Sequence, residues 1–370
     1  MKMEALLLPD YGADPVVTTV ELTPPGPGEI LVRVVVSGVC GSDVHAINGT
    51  LPLPVPLVLG HEGAGLVEEV GEGVTRVAPG DRVVLHWIPS CGECFWCRHD
   101  QPELCEAANH GAVHGALPSR SSHLSWQGEE AYAFSMTGTL ARYAVVPESG
   151  LTPIPDDIPW DEAALLGCAV LTGTGAAFRS PVSAGDAVLV IGLGGVGQSI
   201  VQGARIAGAT RIIAVDPVPF KRATALTLGA TMVVDPEVTD PLDAVLALTD
   251  DRGVDVAFEA VGRPDLIALA FNAVRKGGTA VAVGVPAPNE EVTVNAFAFP
   301  SQEKTLTGSW YGGAHPALDV PRLLNLWRRG ELRLKPLLTR SYDLADAAQA
   351  VRDLADGVLV RGAVWLSDPP

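Results

Sequence analysis

The most regular apolar pattern in the chain begins at Val188. Four apolar residues run directly into Gly192-Leu-Gly-Gly-Val-Gly197, and helical spacing follows over roughly 195–207. A buried strand, a tight glycine turn and a helix are the elements this predicts. The rhythm then repeats. A β-rich run at 211–216 precedes a strand at 231–235, an amphipathic run near 242–248 and a strand at 254–259. A helix candidate over about 266–274, a Gly277-Gly278 stop and an apolar strand at 279–283 complete it. Strands alternating with helices at this spacing predict a parallel sheet covered on both faces.

Outside that segment the pattern is different. Residues 1–8 predict a first strand, and short strands divided by Pro and Gly follow, as at Thr23-Pro-Pro-Gly-Pro-Gly28. The run 30–36 predicts a strand that delivers Cys40, Ser42, Asp43 and His45 to its end. Residues 106–132 are long, polar and rich in Gly, Ser and His, which predicts a loop that is functional or mobile. Its histidines, His110, His114 and His123, are expected to be solvated. Short β-type stretches broken by Pro300 are expected over 292–306, helices over 320–329 and 344–355, and a closing strand over 362–366. There is no internal repeat beyond the strand–helix rhythm.

Composition narrows the function classes. A chain of 370 residues can hold two cores, and 47% hydrophobic with 18% charged residues fits a folded protein. The net charge of −18 argues against nucleic acid and against anionic membrane surfaces as partners. No apolar run approaches the ~20 residues of a spanning helix. The N-terminus lacks the pattern of a signal peptide, so a cytoplasmic protein is expected, and its six cysteines point to metal or catalysis rather than disulfides.

Two motifs carry chemistry. In the first, Gly192, Gly194 and Gly197 form a GxGxxG: one glycine for the turn, one for approach of a pyrophosphate and one for close helix packing. The helix that follows would aim free N–H groups and its positive dipole end at that phosphate. About twenty residues on stands Asp216, placed to accept hydrogen bonds from ribose hydroxyls and to repel a 2′-phosphate. NAD rather than NADP is therefore the expected cofactor. In the second motif, Cys91, Cys94, Cys97 and Cys105 set four thiols on one loop at spacings a tetrahedral ion can gather, and structural zinc is the expected occupant. A disulfide pair or an iron–sulfur cluster are the other uses of such a set. Cys40 and His61 are plausible zinc ligands, although on spacing alone such a pair more often belongs to the core.

With Cys40-Gly-Ser-Asp-Val-His45, Gly60-His-Glu62, the four-cysteine lobe, Gly167-Cys168 and the glycine turn in one chain, the sequence resembles the zinc-containing medium-chain alcohol dehydrogenases over essentially its whole length. The resemblance implies an α/β protein: a Rossmann, doubly wound parallel sheet over 172–311, and a discontinuous, mainly-β, GroES-like catalytic domain over 1–171 and 312–370. It implies a catalytic zinc on Cys40, His61 and Cys168 with a fourth position open, Glu62 beside it and Asp43 orienting the imidazole. Ser42 and His45 resemble a proton relay. Thr172, Gly192, Gly194, Gly195, Val196, Gly197, Asp216, Lys221, Val261, Val283, Val285 and Arg361 match cofactor contacts, Arg361 through the pyrophosphate. Trp87, Phe134 and Ser42 match the substrate pocket. Gly41 departs from relatives that carry a basic pyrophosphate contact there. A homodimer or homotetramer with two zinc ions per chain, oxidising a primary alcohol with NAD, is the implied protein. A dehydrogenase of the hydroxymethyl adduct of a small thiol is the alternative, with Arg120 the one candidate anchor for the thiol's carboxylates. A non-catalytic NAD-binding protein is a third reading, against which the Ser42–His45 pair and the open zinc position speak.

Overall fold

The computed structural model describes residues 1–116 and 122–369. Arg120 lies outside the described residues. The chain forms two compact units, Met1–Cys168 with His315–Asn325 and Leu338–Pro370, and Ala169–Ala314 with Leu326–Leu337. Among the described residues no helix is long and apolar enough to cross a membrane.

The first unit is mainly antiparallel β. Strands Lys2–Leu8, Val16–Leu22, Leu124–Trp126, Glu129–Ala133 and Leu57–Val58 close a small barrel. Beside it a seven-stranded sheet is centred on Glu29–Val39, which pairs with Glu62–Val70, Tyr143–Pro147 and Arg361–Trp365. That strand is buried along almost its full length and is rich in β-branched residues, as a strand covered on both faces should be. Its C-terminal end carries Cys40 into the helix Gly41–Ile47, and Glu62–Val70 starts opposite it.

The polar segment after Cys105 is not a loop throughout. It holds a helix, Glu106–His114, and the hairpin formed by Leu124–Trp126 and Glu129–Ala133. The hairpin turns on Gln127 and Gly128, both with positive φ, the two-residue turn that matches strand twist. His110 and His114 stack on the exposed face of the helix. His123 is half-buried, with Nε2 2.9 Å from Glu29.

The second unit is a six-stranded parallel sheet in the order Met232–Val234, Arg211–Val215, Ala187–Ile191, Val254–Glu259, Val274–Ala282, Thr305–Gly308. In chain order this is 3-2-1-4-5-6, the doubly wound arrangement, and the order in which strands are added reverses between Ala187–Ile191 and Val254–Glu259. Two expectations need correction here. The Gly277-Gly278 pair lies inside the strand Val274–Ala282 rather than stopping a helix before it, because the helix Pro264–Ala273 ends as the strand begins. The stretch around Pro300 is a short helix, Ala298–Gln302, with only Thr305–Gly308 extended; a proline in a first helical turn costs no internal hydrogen bond.

The return after residue 312 is interrupted. Residues 326–337 belong to the second unit, where the Arg205 guanidinium donates to the Glu331 carbonyl and Gln202 exchanges two hydrogen bonds with the Arg333 backbone.

Candidate active site

Cys40 ends the central strand, His61 and Glu62 open the strand paired with it, and Cys168 closes the 3-10 turn Leu165–Gly167. All four side chains are buried, and their Sγ, imidazole N and carboxylate O atoms lie within 4.8 Å of one another. Asp43, fully buried, fixes the frame: its carboxylate accepts from the Cys40 and Gly60 N–H groups at 2.9 Å each. It also stands 3.8 Å from His61 Nδ1, which is buried without a hydrogen-bond partner among the described residues. A buried ring backed by a carboxylate at Nδ1 and gathered with two thiols within 4.8 Å fits a metal ligand better than a core packing role.

The thiols share their acidity unequally. A hydrogen bond from Cys168 holds Cys40 well below the ordinary thiol range, helped by the Arg361 guanidinium, and the same pair pushes Cys168 upward. Burial opposes charge on His61, but Asp43 and Cys40 outweigh it and raise the imidazole. Burial pushes Glu62 up to about 7 against the pull of Arg361. A divalent cation would replace the protons of Cys168 and His61, since its ligands must be a thiolate and a neutral imidazole.

Arg361 is the residue whose place the sequence least foretold. It is buried, with Nε 3.5 Å from Glu62 and Nη2 3.5 Å from Cys40 Sγ. The described contacts thus put this cation at the metal cluster, and a surface arginine is excluded. Two residues adjacent through space but 299 positions apart leave no local pattern to read.

The remaining candidates fall as follows. Ser42 and His45, one helical turn apart on Gly41–Ile47, share a face and are half-buried, and Ser42 Oγ lies 3.8 Å from Cys40 Sγ. Phe134 meets the His61 ring edge-on at 4.8 Å between centroids. It opens a turn in which Ser135 and Met136 hold positive φ while buried. Trp87 is half-buried just beyond the strand Arg82–Leu85.

In the same unit the four-cysteine lobe is gathered. Sγ atoms of Cys94 and Cys97 are 3.6 Å apart and those of Cys91 and Cys97 4.0 Å, with Cys105 inside the same 4.8 Å set. All six cysteines are free. Zinc–sulfur bonds of ~2.3 Å in a tetrahedron give sulfur–sulfur edges of about 3.8 Å, so the lobe has the dimensions of a ZnS4 site. Backbone N–H groups of Cys91 and Cys94 donate to the Cys105 and Cys91 sulfurs, as donors around thiolates do.

The glycine turn of the second unit behaves as its residues require. Gly192 has φ +87, and a side chain at Gly197 would collide with the Gly192 carbonyl. Around Gly194 there is open space, the approach a pyrophosphate needs. Gly195 begins the helix Gly195–Ile206, whose N-terminus takes no side-chain cap, with Val196 half-buried in its first turn. Asp216 accepts from the N–H groups of Leu193 and Val218 at 2.8 Å, so it orders the turn, while each oxygen keeps a further lone pair for a hydroxyl. Val261 is 43% exposed at a strand end, Val283 is buried and Val285 half-buried at the next. Thr172 is buried in the helix Ala169–Arg179, and Lys221 is half-buried in Pro219–Leu228.

Comparison with known proteins agrees with this chemistry. The profile of the alcohol dehydrogenase GroES-like domain matches residues 26–156, and that of the zinc-binding dehydrogenase matches 195–328. The chain is 39% identical to the putative alcohol dehydrogenase D of Mycobacterium tuberculosis, over 98% of this chain and the whole of that protein. It belongs to the zinc-containing alcohol dehydrogenases of the medium-chain family. S-(hydroxymethyl)glutathione dehydrogenase of Synechocystis is 36% identical over 98% of the chain and all of that protein. Benzyl alcohol dehydrogenase of Acinetobacter calcoaceticus has the same fold, with a TM-score of 0.94 and 29% identity over 99% of this chain and all of that one. This dehydrogenase is thus an oxidoreductase that acts on alcohols with the help of zinc.

Proposed function

We propose that this dehydrogenase converts primary alcohols to aldehydes with NAD, using one catalytic and one structural zinc per chain. The observation that carries the reading is the buried cluster of Cys40, His61 and Cys168, with the Asp43 carboxylate behind the His61 ring. Bound there, zinc would supply a Lewis acid that makes a hydroxyl acidic near neutral pH, and a nicotinamide cofactor would supply the hydride acceptor.

The chain's own residues do the rest. Cys40, His61 and Cys168 hold the metal, and Asp43 keeps Cys40 and the Gly60 turn in register. Glu62 and Arg361 form an opposed pair beside it. Two thiolates would balance a divalent ion and Arg361 balances Glu62, which leaves the Asp43 carboxylate, held by two backbone N–H groups, as the further charge beside the set. Ser42 takes the alcohol proton, because a hydroxyl donates and accepts at once, and His45 on the same helical face passes it toward solvent. Phe134 walls the site with an apolar ring against His61 and excludes water. Gly194 and the uncapped helix after it receive the pyrophosphate, and Asp216 holds the adenosine ribose while disfavouring a 2′-phosphate.

Cys91, Cys94, Cys97 and Cys105 hold the structural ion, a closed tetrathiolate with no open position. The strand Thr305–Gly308 has one neighbour in its sheet, and Phe297 and Phe299 stand exposed just before it. An unpaired edge flanked by aromatics supports a dimer through this strand, or a tetramer of such dimers. The small-thiol-adduct alternative is compatible with the same metal and cofactor, and no described residue favours it.

The test is NADH formation followed at 340 nm with aliphatic, allylic and aromatic primary alcohols. Turnover with at least one class, faster with NAD than with NADP, is expected. No turnover with any simple alcohol, but turnover with the adduct of formaldehyde and a small thiol, would replace the primary-alcohol reading.

A further inference from the structure

Glu259 is the last residue of its strand and is fully buried in the second unit, yet it matches none of the roles discussed so far. Its Oε1 accepts from the backbone N–H groups of Val261 and Gly262 at 2.8 Å and from Arg263 at 3.4 Å. Its carbonyl accepts from Val283 at 2.8 Å and Gly284 at 3.0 Å. The next residue, Ala260, donates to the Ile191 carbonyl at 2.9 Å. One residue and its neighbour therefore tie together the ends of three strands, Ala187–Ile191, Val254–Glu259 and Val274–Ala282. These are the strands on either side of the point where the sheet order reverses, outside whose carboxyl ends ligands bind in such folds.

The turn so held is functional ground. It presents the exposed Val261 directly over Gly192, where a side chain on the glycine would strike the valine methyl. Gly262 has φ +90, and the backbone at Gly284 packs against it so closely that neither tolerates a side chain. Burial pushes the Glu259 carboxyl upward, and the three N–H donors pull it back. Oε2 is buried with no partner among the described residues, so the acceptor at Oε1, not an ion pair, is what the fold uses.

We infer that Glu259 is a positioning residue for the dinucleotide: by collecting three N–H groups on one oxygen it holds the 260–263 turn, and through it Val261 and the 283–285 strand end, in the shape that receives the nicotinamide half of the cofactor. This rests on the proposed use of NAD. Glutamine keeps the acceptor oxygen, whereas leucine removes it and aspartate is one methylene too short to reach the three donors.

The experiment compares Glu259→Gln, Glu259→Leu and Glu259→Asp in the zinc-loaded enzyme. NADH affinity is read by fluorescence titration, and backbone amide exchange at residues 261–263 by mass spectrometry. Glu259→Gln is expected to bind within threefold of wild type with slow exchange. Leucine and aspartate are expected to weaken NADH at least tenfold, to speed exchange in the turn, and to raise the KM for NAD while zinc content and the KM for alcohol stay unchanged. Should leucine unfold the protein, the aspartate and glutamine pair carries the comparison. NADH affinity unchanged in the aspartate variant, or lost equally in glutamine, would overturn the assignment. A wild-type enzyme that binds no NADH would overturn the nicotinamide reading itself, and the assignment with it.

Discussion

Asp216 shows how much one side chain can do in this protein. Its carboxylate orders the glycine turn through Leu193 and Val218, and in the proposed NAD site it is the group that a 2′-phosphate would meet. Replacing it by serine keeps an acceptor but removes the charge. The ratio of kcat/KM for NAD over NADP is expected to fall at least tenfold in Asp216→Ser, about 1.4 kcal/mol of discrimination. An unchanged ratio would show that the preference lies elsewhere. At this scale the sequence was most informative where chemistry demands a residue type at a fixed spacing. Thiols three residues apart and glycines at a phosphate turn announce themselves locally. Arg361 against Glu62, and Glu259 beneath Val261–Arg263, did not, because a contact made by folding leaves no mark on neighbouring positions.

At the scale of elements, His86 gives the clearest test. It follows the strand Arg82–Leu85, donates its backbone N–H to Gly150, and its Nε2 lies 3.3 Å from the Thr152 hydroxyl of the partner strand. Burial lowers its pKa to about 3, below the ordinary ~6.5, so the folded chain keeps the ring neutral. The unfolded chain takes up a proton below pH ~6.5 that the fold refuses. The group therefore contributes fully above that pH, and its contribution is lost as the pH falls toward 3. About 2 kcal/mol of this is gone by pH 5. Between pH 7 and 5 the thermal midpoint of wild type is expected to fall further than that of His86→Gln, and equal falls would refute a neutral buried ring. The strand–helix rhythm of the second unit was legible because parallel strands are continuous apolar runs. The helix Glu106–His114 and its following hairpin were not: the segment is polar, and its main signal was the two-residue turn at Gln127-Gly128.

Over the whole molecule, both classes of domain could be read from the sequence, while the path between them could not. Residues 326–337 leave the first unit and join the second through Arg205, Gln202 and Arg333, whose bonds are to backbone and so invisible in residue pattern. In the proposed mechanism the buried Cys40–His61–Cys168 set holds the ion on which alcohol oxidation depends, while the tetrathiolate lobe holds another. Zinc content and alcohol turnover of Cys40→Ser against wild type address this claim directly. Wild type is expected to carry two zinc ions per chain. The variant is expected to stay folded with one, and to lose turnover by about a thousandfold or more, a barrier increase of roughly 4 kcal/mol. A variant that keeps both ions, or that turns over alcohol at the wild-type rate, would contradict the claim.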